Sequence, residues 1–373
     1  MKMSLRNILN IFLNIYNKYK KNKVFIMFLY LFSLIYLIAY KFRELLYDLN
    51  LLKKYSIPAY VISIGNITCG GTGKTPFTIE TAKYYMSLGY KVAIISRGYM
   101  AKIKNVNNVV LVSDGNELLT EYEICGDEAY LIAKKIPKCI VLVSKNRIEG
   151  CKSAIKLGAE IILLDDGYQY LKLNRNKNIL LLDSYKPFDN GYLLPLGKLR
   201  ELPNSIKRAT GIILTNTDRK TINEKDLLTI NKHKKNIPVY KIGYQVQELI
   251  SLNTKQILNI NSLKGTKTIA FSGIGNPESF IELLQRHQIN VVDNISFSDH
   301  YNYGYNDILR VIETAQKHKI ENIITTEKDA VKIEELCQAA PATFWYTKLE
   351  VTWDSFDMFE KLFTEDKNLK LGN

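Results

Sequence analysis

The segment Gly65-Asn-Ile-Thr-Cys-Gly-Gly-Thr-Gly-Lys-Thr-Pro76 constrains this chain most, because it fixes a strand, a tight loop and a helix in one order. An apolar run over residues 59–64 leads into it, and a helical pattern over residues 76–88 follows. Gly70, Gly71 and Gly73, with Thr72 among them, let the backbone fold tightly and turn its N–H groups toward phosphate oxygens. The helix adds the positive end of its dipole at the same point. Lys74 is placed to reach the outer phosphates of a nucleotide, and the Thr75 hydroxyl to coordinate magnesium. The strict G-x-x-x-x-G-K-[ST] pattern has glycine where this chain has Thr68. The alternative, a glycine-rich turn with a chance Lys-Thr, does not account for the strand before it and the helix after it.

Two acidic clusters accompany the loop. Residues 160–167, Glu-Ile-Ile-Leu-Leu-Asp-Asp-Gly, read as an apolar strand that ends in Asp165 and Asp166. In open α/β sheets ligands sit at the carboxyl ends of strands, which points these acids toward the phosphate loop. A hard cation such as Mg2+ takes oxygen ligands, so one or both suit it. Asp-Asp-Gly is also ordinary turn chemistry, and the coupling to the loop is what favours the metal. Asp127 and Glu128 follow Gly126 and open a helical stretch, where the helix dipole alone favours acids. The functional reading is a base that orients a hydroxyl for attack on a terminal phosphate, tuned by a histidine. His300, in Phe297-Ser-Asp-His-Tyr301, is the candidate partner, although a lone Asp-His is more often a loop detail.

From Pro58 onward short apolar runs alternate with helical stretches. Strands are expected at residues 59–64, 91–96, 109–113, 139–143, 160–164, 178–182 and 211–215, with helices at 76–88, 127–135 and 147–157. Continuous Val/Ile/Leu strands between helices indicate a parallel sheet covered on both faces. The polar stretch 216–236 reads as a boundary, after which strands are expected at 238–243, 267–271, 289–295, 322–325 and 343–351. A length of 373 residues also favours two domains. The expected class is α/β: a phosphate-loop NTPase-type parallel-sheet domain (58–216), a second, smaller α/β domain (217–373) and an N-terminal hydrophobic segment (1–57). Thr326-Glu-Lys-Asp329 follows a strand, where it either helps bind nucleotide or caps a helix.

Residues 24–40 form an uncharged apolar run at the short end of what spans a bilayer, and no signal-cleavage site follows it. Lys18, Lys20, Lys21 and Lys23 precede the run, and Lys41 and Arg43 follow it. If the body is cytosolic, a single span would carry the more basic end across, against the positive-inside rule. A helix lying in the membrane interface avoids that cost, with its lysines on anionic lipid; a buried core helix is the remaining reading. The formal net charge of +14 asks for an anionic partner. Nucleic acid is disfavoured, since zinc-finger spacing and RNP-type aromatics are both lacking. The five cysteines, Cys69, Cys125, Cys139, Cys151 and Cys337, are scattered and never in C-x-x-C, which fits free thiols and an oxygen-ligated metal.

The chain resembles the tetraacyldisaccharide 4'-kinase family of lipid A synthesis. The likeness rests on GNITCGGTGKTP at 65–76, ISRGY at 95–99, GDE at 126–128 and LLDDGYQ at 163–169. It continues through LLPLGKLRE at 193–201, SGIGNP at 272–277, SDH at 298–300 and TEKDAVK at 326–332. Thr68 in place of the first loop glycine is itself a habit of that family. The resemblance implies ATP and Mg2+ as cofactors, Asp127 and His300 as the catalytic pair, and Thr75, Asp165 and Asp166 serving the metal. It places Lys74 on the β/γ-phosphates and Gln169, Arg200 and Glu201 near the metal or the transferred phosphate. Tyr170 stands where many members carry histidine. It further implies γ-phosphate transfer to an anionic acylated glucosamine disaccharide phosphate. The expected place is the cytoplasmic face of the bacterial inner membrane, peripheral or N-terminally anchored, with no obligate protein partner. The rival reading is a membrane-associated phosphate-loop ATPase or GTPase acting on a protein partner.

Overall fold

A computed structural model describes residue 19 and residues 22–363, apart from residues 100, 104, 107, 220, 339, 341 and 355. Lys18, Lys20 and Lys21 of the basic cluster lie outside the described residues. The first half builds on β1 (Tyr60–Asn66), β2 (Val92–Ser96), β3 (Val109–Asp114), β4 (Ile140–Ser144), β5 (Ile161–Asp165), β6 (Lys177–Asp183) and β7 (Gly211–Thr215). Their spatial order is β3-β4-β2-β5-β1-β6-β7, parallel throughout except for β3 at the edge. The unbroken aliphatic strands read from the sequence are buried because helices cover both faces. Phe77, Tyr85 and Ile132 pack on one face, from the helices Lys74–Ser87 and Asp127–Lys135. Ile148, Cys151 and Ala154 of the helix Arg147–Lys156 pack on the other.

The second series is β8 (Val239–Ser251), β9 (Ile257–Asn259), β10 (Lys267–Ser272), β11 (Asn290–Ser296), β12 (Asn322–Thr326) and β13 (Thr343–Trp353). The strands β11-β10-β12-β13 run parallel, and β13 lies antiparallel to β8. β8 is the hinge of the architecture. Its first residues pair parallel with β7 from Val239 to Lys241, and from Ile242 to Ser251 it pairs with β13. Leu362 and Phe363, at the end of the final helix Phe356–Phe363, return to the core of the first half. The polar stretch 216–236 holds a helix, Glu224–His233, which buries Ile230 and takes its N-cap bond from Asn223.

The N-terminal helix is Lys23–Asp48, two turns longer than its apolar run. Asn22 caps it, its side chain accepting from the Val24 and Phe25 amides. Leu29, Ser33, Tyr40 and Glu44 form a narrow buried strip at helical spacing. Ser33 Oγ donates to Leu193 O at 3.0 Å and Tyr36 Oη to Arg200 O at 3.0 Å. Val24, Met27, Leu31, Ile35 and Ile38 face outward and are exposed. A core helix would be wrapped on every side, so that reading is excluded.

Candidate active site

The phosphate loop leaves the carboxyl end of β1 and closes at Gly73, whose φ of 74° caps the helix Lys74–Ser87. That backbone belongs to glycine, and the space does too: a Cβ at Gly73 would lie 1.6 Å from Tyr244 Oη. Tyr244 Oη instead donates to Gly73 O at 3.2 Å, joining β8 to the loop. Asn66 Nδ2 donates to Thr72 Oγ1 at 2.8 Å and steadies the turn from inside. Cβ atoms on Gly70 or Gly71 would meet open space, so the loop presents bare backbone outward. Lys74 and Thr75 sit in the first helical turn, at the positive end of the dipole.

Asp165 ends β5 in register with Ile64 of β1, which brings the acids beside the loop. Thr78 Oγ1 donates to Asp165 Oδ1 at 3.2 Å. Arg147 lies buried behind, donating to the main-chain oxygens of Ile95, Asp165 and Asp166 rather than to either carboxylate. Asp166 is held by Arg200 Nη1 at 2.7 and 3.0 Å, with Lys74 Nζ at 3.8 Å. Burial opposes its charge, but Lys74 and Arg200 outweigh burial and bring the carboxyl down to about 2. Asp165 gets less relief, since Lys74 and Arg147 favour its charge but do not outweigh its burial. Burial, then the charges of Glu128 and Asp166, push it up to about 7. A buried acid crowded by other acids is complementary to a divalent cation. Among the described residues no cluster of three or more His, Cys, Asp or Glu side chains forms a metal cage. Mg2+ takes one or two carboxylates and completes its shell with phosphate oxygens and water, which fits Asp165 and Asp166 beside a phosphate loop. Gln169 Nε2 donates to Asn66 O at 2.8 Å, bracing the turn below the acids.

Across the cleft, Gly126 breaks the chain at φ 88° and Asp127 starts the helix Asp127–Lys135. His300, from the loop after β11, places Nδ1 2.9 Å from both Asp127 oxygens. Its ring lies 4.8 Å from that of Tyr99. Lys332 Nζ stands 3.6 Å from Asp127 and 3.0 Å from Asp329. Burial opposes ionisation of Asp127, yet the His300 bond, Lys328 and Lys332 hold it well below the usual carboxylate range. A cavity of about 110 Å³ opens on the pair, lined also by Lys102, Tyr122, Glu123 and Lys332. Glu128 connects the two clusters, since its charge is felt at Asp165.

The structure thus sets Asp165 and Asp166 beside the loop and His300 against Asp127. Glu201 does not join them. Its fully buried carboxylate pairs with Arg208 and, at 3.6 Å, Arg43, beneath the N-terminal helix. Neighbouring Arg200 takes the opposite direction, to Asp166. Tyr170 donates to Asn146 Oδ1 at 3.3 Å, outside the cleft contacts. Thr326 does cap a helix, Glu327–Ile333, by accepting from the Asp329 amide. Lys328 of the same segment reaches His300, which the capping pattern alone could not indicate. Arg147, Tyr244 and Arg208 carry no local motif, and only the fold assembles them.

The family model for tetraacyldisaccharide-1-P 4'-kinase matches residues 25–366. A tetraacyldisaccharide 4'-kinase of Halothermothrix orenii is 38% identical, over 83% of this chain and 84% of its own. The enzyme of that name from Syntrophus aciditrophicus is 36% identical, over 89% of this chain and 91% of its own. A crystal structure of LpxK from Aquifex aeolicus in complex with ATP superposes with a TM-score of 0.73 at 31% identity, covering 90% of this chain and 96% of that one. The chain belongs to the tetraacyldisaccharide-1-P 4'-kinase family.

Proposed function

We propose that this chain transfers the γ-phosphate of ATP to the 4'-hydroxyl of a tetraacyldisaccharide 1-phosphate in lipid A synthesis, using Mg2+. The observation that carries the site assignment is Asp127 held by His300, with neighbouring Glu128 near enough to Asp165 for its charge to act there. Lys74 and the loop amides bind the β- and γ-phosphates. Thr75, Asp165 and Asp166 would hold the metal, which would neutralise charge on those phosphate oxygens. Asp127 orients the sugar hydroxyl and accepts its proton as the new O–P bond forms and the bond from the γ-phosphorus to the β,γ-bridging oxygen breaks, with ADP leaving. Its lowered basicity is compatible with a loose phosphoryl-transfer transition state, in which the proton leaves late and positioning dominates. Arg200 is placed to swing between Asp166 and the transferred group.

The division into residues 1–57, 58–216 and 217–373 is our functional reading of the chain, with the last part closing over the nucleotide. The outward face of the helix Lys23–Asp48 rests in the cytoplasmic leaflet of the inner membrane, where the anionic glycolipid is found. No protein partner enters the reaction, and nothing in the site favours the ATPase alternative. The test uses purified protein in detergent micelles with magnesium, γ-labelled ATP and tetraacyldisaccharide 1-phosphate. Label should reach the lipid and be lost, by on the order of 10²–10⁴-fold, in Asp127→Ala with nucleotide binding retained. Nucleotide hydrolysis without labelled lipid would reject the substrate.

A further inference from the structure

Both ring nitrogens of His300 are engaged, and its second partner has no role in the reaction as derived above. Nε2 lies 3.1 Å from Lys328 Nζ, while Nδ1 faces Asp127. An ammonium donates hydrogen bonds and accepts none, so Nε2 offers its lone pair and Nδ1 carries the proton. The same ammonium stands 3.5 Å from Glu128 Oε1 and 3.4 Å from Asp299 Oδ1. Glu128 belongs to the helix that carries Asp127, whereas Asp299, His300 and Lys328 come from the second series of strands and helices. The contact therefore spans the cleft.

We propose that Lys328 is a positioning residue of this kinase, locking His300 as the neutral Nδ1–H tautomer aimed at Asp127 and drawing Glu128 to the same point. This rests on the reading of Asp127 and His300 as the catalytic pair. The charged and titratable groups around the imidazole are Asp127, Asp299 at 3.8 Å from Nε2, Tyr99 against its ring, and Lys328, with Lys332 and Glu128 one contact further out. Lys328 is the cation in direct contact. Without it the imidazole faces carboxylates on both sides and takes up a second proton more readily. An imidazolium binds Asp127 more tightly and makes it a poorer acceptor for the hydroxyl proton.

The experiment compares full-length wild type, Lys328→Met and Lys328→Arg in the lipid phosphorylation assay across pH. In parallel, long-range 1H–15N spectra are taken of histidine-labelled protein. The chain has four histidines, so the His300 signal is identified by its loss in His300→Gln. Wild type should show the Nδ1–H tautomer. In Lys328→Met the imidazole should protonate, and the acid limb of kcat should move, about one pH unit higher. At neutral pH kcat should fall on the order of tenfold with KM for ATP little changed, and Lys328→Arg should restore the limb. An Nε2–H tautomer in wild type overturns the proposal even if Lys328→Met fails to fold. So does an unmoved acid limb in a folded Lys328→Met, with Asp127→Ala inactive, and the catalytic pair then still stands. Full activity in Asp127→Ala removes the pair and the proposal together.

Discussion

Adjacent aspartates on one strand end differ because different groups face them. Lys74 and Arg200 neutralise Asp166, whereas Asp165 looks toward Glu128 and Asp166 from a fully buried position. Raised from 3.8 to about 7, Asp165 keeps in the folded chain a proton that the unfolded chain has already released. Stability of the metal-free protein therefore falls as pH rises from about 4 to 7, with the cost complete above that window. Asp165→Asn removes this cost. In EDTA the variant should melt like wild type near pH 4 and on the order of 5 °C higher at pH 8. Added MgATP should raise the wild-type melting temperature and leave the variant nearly unmoved. A variant with the wild-type pH dependence would assign the strain to another group. Of the residues in this cleft, Lys74, Thr75, Asp165 and Asp166 were legible in the sequence because motif spacing and the strand-end rule fix their positions together. Asp127 and His300, 173 residues apart, were a candidate pair from their residue types, and the family likeness was what favoured them. Lys328 and Arg208 could not be assigned, because their meaning depends on partners that only the tertiary fold supplies.

At the scale of elements, the helix Lys23–Asp48 has two jobs on two faces. Hydropathy locates residues 24–40 but stops short of Arg43 and Glu44, the charges that dock the helix. Arg208 binds both Glu44 and the buried Glu201, while Arg43 reaches Glu201 from the helix itself. Removing one member of a buried ion network strands the others, so Arg208→Ala should cost about 3–5 kcal/mol, read by denaturant unfolding. It should also lower kcat, because Arg200 is bonded to Tyr36 of the same helix through its carbonyl. A fully active, equally stable Arg208→Ala would show the docking to be incidental. The outward face behaves oppositely. Ile35→Glu with Ile38→Glu changes exposed positions only, and should leave melting and turnover of micellar substrate intact. Flotation with anionic vesicles should be lost, and retained binding would place the membrane contact elsewhere. The helix Glu224–His233 lies in a stretch that reads as a polar boundary, and Ile230 is its one fully buried residue.

Across the whole molecule, the chemistry is divided between parts that are stitched at few places. The phosphate loop, Asp127, Asp165 and Asp166 stand on the first sheet, and His300 arrives from the second. β8 and β13 provide the backbone link, with Tyr244 of β8 bonded to the loop. One side-chain link is the packing of the helix Asp127–Lys135 on the helix Glu327–Ile333. There Lys135 pairs with Glu327 at 2.7 Å and Lys134 with Glu334 at 2.5 Å. These pairs join residues some 200 positions apart and set where His300 meets Asp127. The phosphate loop stands on the first sheet, whereas the Asp127–His300 pair needs both parts in register. Lys135→Glu places two acids face to face at that junction. It should lower kcat by on the order of 10²-fold, as small misplacements of reacting groups do, while ATP affinity changes little. Exchanging the charges, in Lys135→Glu with Glu327→Lys, should recover most of the rate. A single variant that loses ATP binding and catalysis together would show that the junction supports the fold as a whole rather than the alignment of the pair.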